Sequence, residues 1–343
     1  MAKLKLDDFQ LGSVLGVGTV GTIYAGEDRR TGNKVAIKLL HPAVCQDELI
    51  RARFRREMSI LERLRHPNII RYYGGGERDG QLFFAMELID GGSVKDLLEQ
   101  HGSLPWPEVA AIAAQVCSAL QCAHNNGIIH RDIKPANLFL TRNGQVKLGD
   151  FGIARDTHTA DLTSDRMTVG THAYMPPEQI TGELPLSGKA DLYALGCVMF
   201  ELLTGEKPFQ GANFAQLFDQ HLRQPPPYAQ SLVPDCPKEL SDTIAQLLAK
   251  SPDDRPFNAR RVQADMMRLL ERYQLPVSEA SLHDRNQRDV GAANAVEIGR
   301  EVLSRRVAQR FLADAPRELS WTKWVIVALV LTMLVTIAAI FGR

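Results

Sequence analysis

His130-Arg131-Asp132-Ile133-Lys134-Pro135-Ala136-Asn137 and, 18 residues after Asp132, the run opened by Asp150 in Asp150-Phe151-Gly152 are the points from which the rest of this chain can be placed. Together they put a carboxylate, an ammonium and a carboxamide on one short loop, with a second carboxylate downstream. Phosphoryl transfer asks for such a set. One carboxylate accepts the proton of an attacking hydroxyl, a cation offsets charge on the moving group, and paired oxygens hold a divalent metal. Asp132 is the candidate base and Lys134 the candidate charge partner. Asn137 and Asp150 are candidate ligands of Mg2+, a hard cation that prefers oxygen donors. His130 follows the apolar pair Ile128-Ile129 and reads as a packed histidine, not a base.

Upstream, Leu15-Gly16-Val17-Gly18-Thr19-Val20-Gly21-Thr22-Ile23 contains G-x-G-x-x-G, a weak signal alone because dinucleotide-binding turns share it. The residues that follow Gly21 are β-branched and aromatic, so they predict a returning strand and not the opening of a helix. A glycine-rich hairpin of this kind lets backbone N–H groups approach phosphates without side-chain clash. Val35-Ala36-Ile37-Lys38 then ends an apolar strand on a lysine, and Met86-Glu87-Leu88-Ile89 closes another. Residues 9 to about 87 read as strands around one charged helix, Asp47–Arg65, and Asp90-Gly91-Gly92 reads as a hinge. From Ser93 to about Tyr273 helical patterns dominate, interrupted by a hairpin-like stretch, Asn137–Gly149, turning at Asn143-Gly144.

These motifs, in this order, resemble the Hanks-type (eukaryotic-like) Ser/Thr protein kinases over about residues 9–272, and the architecture is similar to bacterial membrane-anchored members. The resemblance implies an α+β, bilobal protein-kinase fold: a small antiparallel β lobe with one helix to about residue 87, a hinge at 88–92, and a larger, mainly helical lobe at 93–272. It also implies ATP with Mg2+, or Mn2+ in its place, as cofactors, and protein substrates with Ser or Thr acceptors. Lys38 would contact the α- and β-phosphates and pair with Glu57, with Glu62 as the second choice, turned elsewhere and solvated. Met86 would border the adenine, with the backbone of Glu87 to Ile89 bonding the base; the glycine-rich run Leu15 to Ile23 would cover the phosphates, Val20 standing where the family often has an aromatic residue. Lys134 resembles the lysine characteristic of the Ser/Thr class.

Residues 153–178 resemble an activation segment, ending in Met175-Pro176-Pro177-Glu178 where the family usually reads Ala-Pro-Glu. By the same resemblance Glu178 pairs with Arg255, Asp191 anchors the catalytic loop, and Thr171 touches Asp132 and Lys134. Arg131 before the base implies control by phosphorylation, with Thr163 and Thr168 as the first candidates ahead of Thr157, Thr159 and Ser164. A pseudokinase would lose at least one of Lys38, Asp132, Asn137 and Asp150, and all four are present. A membrane scaffold working through residues 274–320 would leave the intact catalytic set unexplained.

Composition sets the surroundings. Lys+Arg and Asp+Glu number 40 each in 343 residues, which gives no support to a polyanion-binding role, and nucleic acid is not an expected partner. Five scattered cysteines among apolar neighbours suggest reduced, mostly buried thiols. The first residues carry no apolar run, so no signal peptide is read there. Residues 273–320 read as a polar juxtamembrane linker with a weakly amphipathic stretch at Val296–Leu312, and 321–343 as a C-terminal transmembrane anchor. Its uncharged run Trp324–Phe341 has 18 residues, about 27 Å at roughly 1.5 Å each. Arg305, Arg306, Arg310, Arg317 and Lys323 precede it and Arg343 alone follows, which predicts a single pass through the cell membrane with the kinase portion cytoplasmic. A homodimer through 296–312 or the span is compatible with the chain but has no heptad or G-x-x-x-G pattern behind it.

Overall fold

Alternation of apolar residues between Phe9 and Glu87 produces five antiparallel strands: β1 (Phe9–Val17), β2 (Gly21–Asp28), β3 (Lys34–Leu40), β4 (Tyr72–Arg78) and β5 (Gln81–Glu87), in the order β1-β2-β3-β5-β4. The computed structural model describes residues 4–18, 20–46, 48, 51–52, 54, 58, 61–151, 172–183, 185–272, 297 and 299–309. Side chains two apart share a face of the sheet. Val35, Ile37, Phe83 and Ala85 therefore pack with Leu4, Leu6 and Phe9 on one side. Ala36, Phe84 and Met86 face the other way, onto Phe54, Met58 and Leu61. Those last three belong to helix α1, described at residues 48, 51–52, 54, 58 and 61, shorter than the Asp47–Arg65 read from the sequence because Glu62 and Arg63 already form a turn.

Helix α2 (Val94–His101) opens the larger lobe with a capping box, Ser93 accepting from the Asp96 N–H and Asp96 returning the bond, and closes at Gly102 with φ 74°. The alanine-rich helix α3 (Trp106–Asn125) is buried along most of its length. Helix α4 (Gly188–Thr204) starts at the Ser187 cap and stops at the left-handed Gly205. Around these lie α5 (Phe214–Arg223), α6 (Lys238–Leu247) and α7 (Ala259–Arg272). A Cβ on Gly196 would stand 2.8 Å from the Leu247 Cβ, so the glycine is what lets α4 and α6 approach. Each buried Leu, Ile or Phe of this core contributes about 1.5–3 kcal/mol. The hairpin β6 (Leu138–Leu140) and β7 (Val146–Leu148) lies across α3, turning at Gly144 with φ 73°. All five cysteines are free, Cys122 partly exposed and the others buried.

Residues 299–309 form a further helix, α8, whose first nine residues belong to the same compact unit as residues 1–296. It lies on the weakly amphipathic stretch Val296–Leu312 of the segment read as a polar linker. The anchor expected at 321–343 lies outside the described residues; among those described, no helix is long and apolar enough to cross a membrane.

Candidate active site

The loop between α3 and β6 takes its shape from one buried carboxylate. Asp191, in the first turn of α4 and 1% exposed, accepts from the His130 N–H at 2.9 Å and the Arg131 N–H at 2.8 Å. The His124 Nε2 donates to the same carboxylate at 2.7 Å. Arg131 sits at φ 65°, a conformation that costs a non-glycine residue about 1–3 kcal/mol and persists only where neighbours impose it. The hydrogen bonds of the His130 and Arg131 amides to the one carboxylate supply the constraint. His130 is buried, and its Nε2 donates to the Gly149 carbonyl at 2.9 Å, which leaves Nδ1 to accept from the Asp132 N–H at 3.3 Å. Burial lowers its pKa, so it is a neutral strut against the Phe151 ring, 4.6 Å away between centroids.

The polar groups expected from the loop converge. Asp132 Oδ2 stands 3.0 Å from Lys134 Nζ and accepts from Asn137 Nδ2 at 2.9 Å. The same Nδ2 also reaches the Asp132 carbonyl at 2.7 Å. From the other lobe, Lys38 Nζ meets Asp150 Oδ1 at 2.7 Å. These side chains are 18% and 28% exposed, so solvent screens the pair and it belongs to the mouth of the cleft. Asp150 is the second polar residue here at positive φ, 49°. With Nδ2 of Asn137 and Oδ1 of Asp150 engaged, Asn137 Oδ1 and Asp150 Oδ2 are the hard oxygens these two residues can offer a cation, a donor set that fits Mg2+. Glu57, the expected partner of Lys38, lies outside the described residues. Glu62, expected to be solvated, is half-buried, with Oε1 3.2 Å from where Gly74 of β4 would carry a Cβ.

The glycine-rich run is the hairpin joining β1 and β2, with Gly16 opposite Ile23 and Val17 opposite Thr22. Its glycines differ in kind. A Cβ on Gly21 would strike the Leu39 carbonyl of β3, so packing forbids it, whereas one on Gly16 would meet nothing within 4 Å among the described residues. Gly16 is thus free for a ligand to approach. The hairpin is closed by the Gly18 N–H on the Gly21 carbonyl, 2.9 Å. It is tied down by His41, whose Nε2 reaches the Gly18 carbonyl and whose N–H reaches the Val20 carbonyl, both at 2.9 Å. Leu15 is exposed and Val17 is 74% exposed. Val20, Ile23, Leu88 and Ile89 pack partly against the core formed in part by Ala36, Met86 and Leu140. The Glu87 N–H is taken by the Arg71 carbonyl at 2.8 Å, and its carboxylate by Lys147 Nζ of β7 at 2.8 Å.

Glu178 and Arg255 form a bidentate pair at 2.7 and 2.8 Å, with the guanidinium also donating to the Ala249, Lys189 and Lys250 carbonyls. A small cleft beside Asp132 is lined by Ile133, Tyr174, Met175, Pro176 and Gln179. Thr19, Gly152, Thr157, Thr159, Thr163, Ser164, Thr168 and Thr171 lie outside the described residues. Three contributors escaped the sequence reading. His41 and His124 carry no motif of their own and act through tertiary contacts. Tyr72, buried on β4, has its phenol pushed far above the ordinary range, by burial first and then by the nearby Asp150 charge.

Comparison with known proteins agrees with this geometry. The protein kinase domain family matches residues 9–267. Over 343 aligned residues the chain is 35% identical to the serine/threonine-protein kinase PknB of Mycolicibacterium smegmatis, covering 97% of this chain and 54% of that one. It is 40% identical over 252 residues to the serine/threonine-protein kinase PknD of Mycobacterium tuberculosis, covering 73% of this chain and 38% of the relative. The chain thus spans about half or less of the length of these curated relatives. Among solved structures, the Mycobacterium tuberculosis PknI kinase domain superposes with a TM-score of 0.60 at 30% identity, covering 78% of this chain and 97% of that one. Rad53 in complex with AMP-PNP gives 0.63 at 29% identity, covering 75% of this chain and 64% of that one. The catalytic loop, the bilobal fold and these matches agree, and the chain belongs to the protein kinase family, alongside bacterial serine/threonine members.

Proposed function

We propose that the chain is an ATP- and Mg2+-dependent kinase that transfers the γ-phosphoryl group to Ser or Thr hydroxyls of proteins. The observation that carries this reading is that Lys134 and Asn137 each come within 3.0 Å of the Asp132 carboxylate, while Lys38 pairs with Asp150 at 2.7 Å. Asp132 holds an oxygen ready for the proton of the acceptor hydroxyl, and Lys134 offsets charge at the group in transit. Lys38 and the open face at Gly16 receive the phosphates, and the Glu87 to Ile89 backbone receives the base. Asn137 and Asp150 would hold Mg2+, which neutralises phosphate charge when bound. The likeness to a solved kinase holding AMP-PNP, an ATP analogue, supports the same nucleotide here.

Glu57 completes the set as the partner of Lys38, and Thr171 lines the acceptor site. Residues 9–272 are the catalytic domain, and the segment after Asp150 is its own substrate, at Thr163 and Thr168. Residues 321–343 hold the enzyme on the cytosolic face of a membrane. The purified protein should transfer labelled phosphate from Mg-ATP to Ser and Thr of a generic protein substrate and not to Tyr. Lys38→Met should abolish the transfer without unfolding the chain. Transfer that survives Lys38→Met would sink the assignment of the site. Deletion of 321–343 should move the protein to the soluble fraction, and retention on membranes would refute the anchor.

A further inference from the structure

Helix α8 is seated on the large lobe in a cradle that fits it closely. Leu303 and Val307, one turn apart, are both 0% exposed. Gly299 continues the same stripe, its Cβ position 3.0 Å from the Ala111 Cβ of α3 and 4.0 Å from Leu270 Cδ1 of α7. The floor is a face of α3, in which Glu108, Ala111 and Gln115 recur at helical spacing and are all buried. Glu108 would be an expensive residue to bury alone. Here Arg306 answers it with Nε at 3.1 Å from both carboxylate oxygens and Nη2 at 2.8 Å from Oε1.

The far wall of the cradle is the turn of the β6–β7 hairpin. A Cβ on Gly144 would strike the Arg300 carbonyl and come within 2.6 Å of the Ser304 nitrogen, so the helix backbone lies directly on that glycine. From there the contacts run to the metal-binding pair. Gln115 donates to the Gly144 carbonyl at 3.2 Å and accepts from the Val146 N–H at 2.9 Å and from Asn68 at 3.0 Å. Asn68 holds the Leu148 N–H at 2.8 Å, and the Gly149 N–H bonds the Asn137 carbonyl at 3.0 Å. The turn under α8 is therefore the connection between Asn137 and Asp150. Docking is also poised to be reversible. Arg300 Nε is buried without a partner among the described residues, and a glycine sits in the helix, both of which weaken the docked state.

We propose that the α3–α7–Gly144 surface is a receptor for the chain's own helix α8, and that its occupancy sets the Asn137–Asp150 spacing, so that whatever acts on the chain beyond residue 309 reaches phosphoryl transfer through this strut. The proposal rests on the kinase reading for its catalytic consequence but not for the docking itself. The occupant is this chain's helix because its apolar stripe, its cation and its close backbone approach each meet a matching group in the cradle.

The test compares the full-length protein with Leu303→Asp, Arg306→Glu, Glu108→Arg and the double charge swap. The readouts are hydrogen exchange and the Mg2+ dependence of ATP turnover. Leu303→Asp should speed exchange at residues 299–309 and at 141–149 together. It should also raise the Mg2+ concentration for half-maximal turnover about fivefold, the low end for coupled sites. Arg306→Glu should do the same more weakly, and adding Glu108→Arg to it should restore both readouts. Exchange that rises in the helix alone, with Mg2+ dependence unchanged, overturns the coupling. Protection of 299–309 that grows with protein concentration overturns docking within one chain, since the helix would then come from a second copy. A wild-type protein that protects both segments yet transfers no phosphate supports the docking and counts against the kinase reading instead.

Discussion

The two sides of the cleft hold their parts of the site in opposite ways. On the large lobe, the catalytic loop hangs from Asp191, buried and triply hydrogen-bonded, and Glu178 is clamped by a guanidinium with five hydrogen bonds. On the small lobe, the glycine-rich hairpin carries exposed Leu15 and Val17 and is tied to the end of β3 by the two bonds of His41. One side is rigid and holds Arg131 in a strained conformation, the other is open at Gly16, and the proposed function would use the first for acid–base chemistry and the second to admit a nucleotide. Residues of the first kind should therefore answer to stability measurements, and residues of the second kind to KM.

The largest effect should come from Arg255→Met. It leaves the Glu178 carboxylate buried without its partner, and unfolding free energy by urea titration should fall by about 3–5 kcal/mol. Asp191→Ala, which strands the His130 and Arg131 N–H groups, should cost about 3 kcal/mol in the same assay and also release the φ 65° conformation of Arg131. A loss under about 1 kcal/mol for either would break the comparison on its rigid side.

Acid should act on that side too. His221 is buried in the large lobe, its Nδ1 2.9 Å from the Tyr193 hydroxyl, and burial, followed by the Lys250 charge, lowers its pKa from 6.5 to about 3. The neutral ring is the folded form, so its stabilisation is complete above the unfolded pKa of about 6.5 and is lost as pH falls toward about 3. Between pH 6.5 and 5 the expected loss is about 2 kcal/mol, visible as a lower urea midpoint. His221→Gln should flatten that slope, and an unchanged slope would remove His221 as its cause. His130, also lowered by burial, adds a dependence of the same sign.

The smallest effect sharpens the comparison on its adjustable side. His41→Ala removes the imidazole tie to Gly18 and should raise the KM for ATP about fivefold, the worth of roughly one hydrogen bond, with melting temperature unchanged. Gly16→Val should likewise raise KM without loss of stability, because no atom of the described residues lies where its Cβ would stand. A KM that stays put in both variants would mean the hairpin does not close on the nucleotide.

Legibility from sequence follows the range of each interaction. Asp132, Lys134 and Asn137 could be read because their chemistry needs three residue types within six positions, and the structure does bring them together. The hairpin turn at Gly144 was legible from Asn143-Gly144, though not the second reason for that glycine, which lies 156 residues away at Arg300. Helix α8 falls on the weakly amphipathic stretch read at Val296–Leu312, but its docking was hidden because the buried stripe is only Gly299, Leu303 and Val307, set among arginines and glutamates. Lys38 offers a similar lesson. Resemblance gave it Glu57, which lies outside the described residues; the described contact is with Asp150, 112 residues on, a pairing no local pattern encodes.

On the proposed function, the loop held by Asp191 carries out chemistry on a Ser or Thr hydroxyl through Asp132. Its most direct test is the single-turnover rate of γ-phosphate transfer from Mg-ATP in wild type and Asp132→Asn, measured beside their melting temperatures. Asp132→Asn should lower the rate about 10²–10⁴-fold with little change in melting temperature. Equal rates in the two proteins would contradict it.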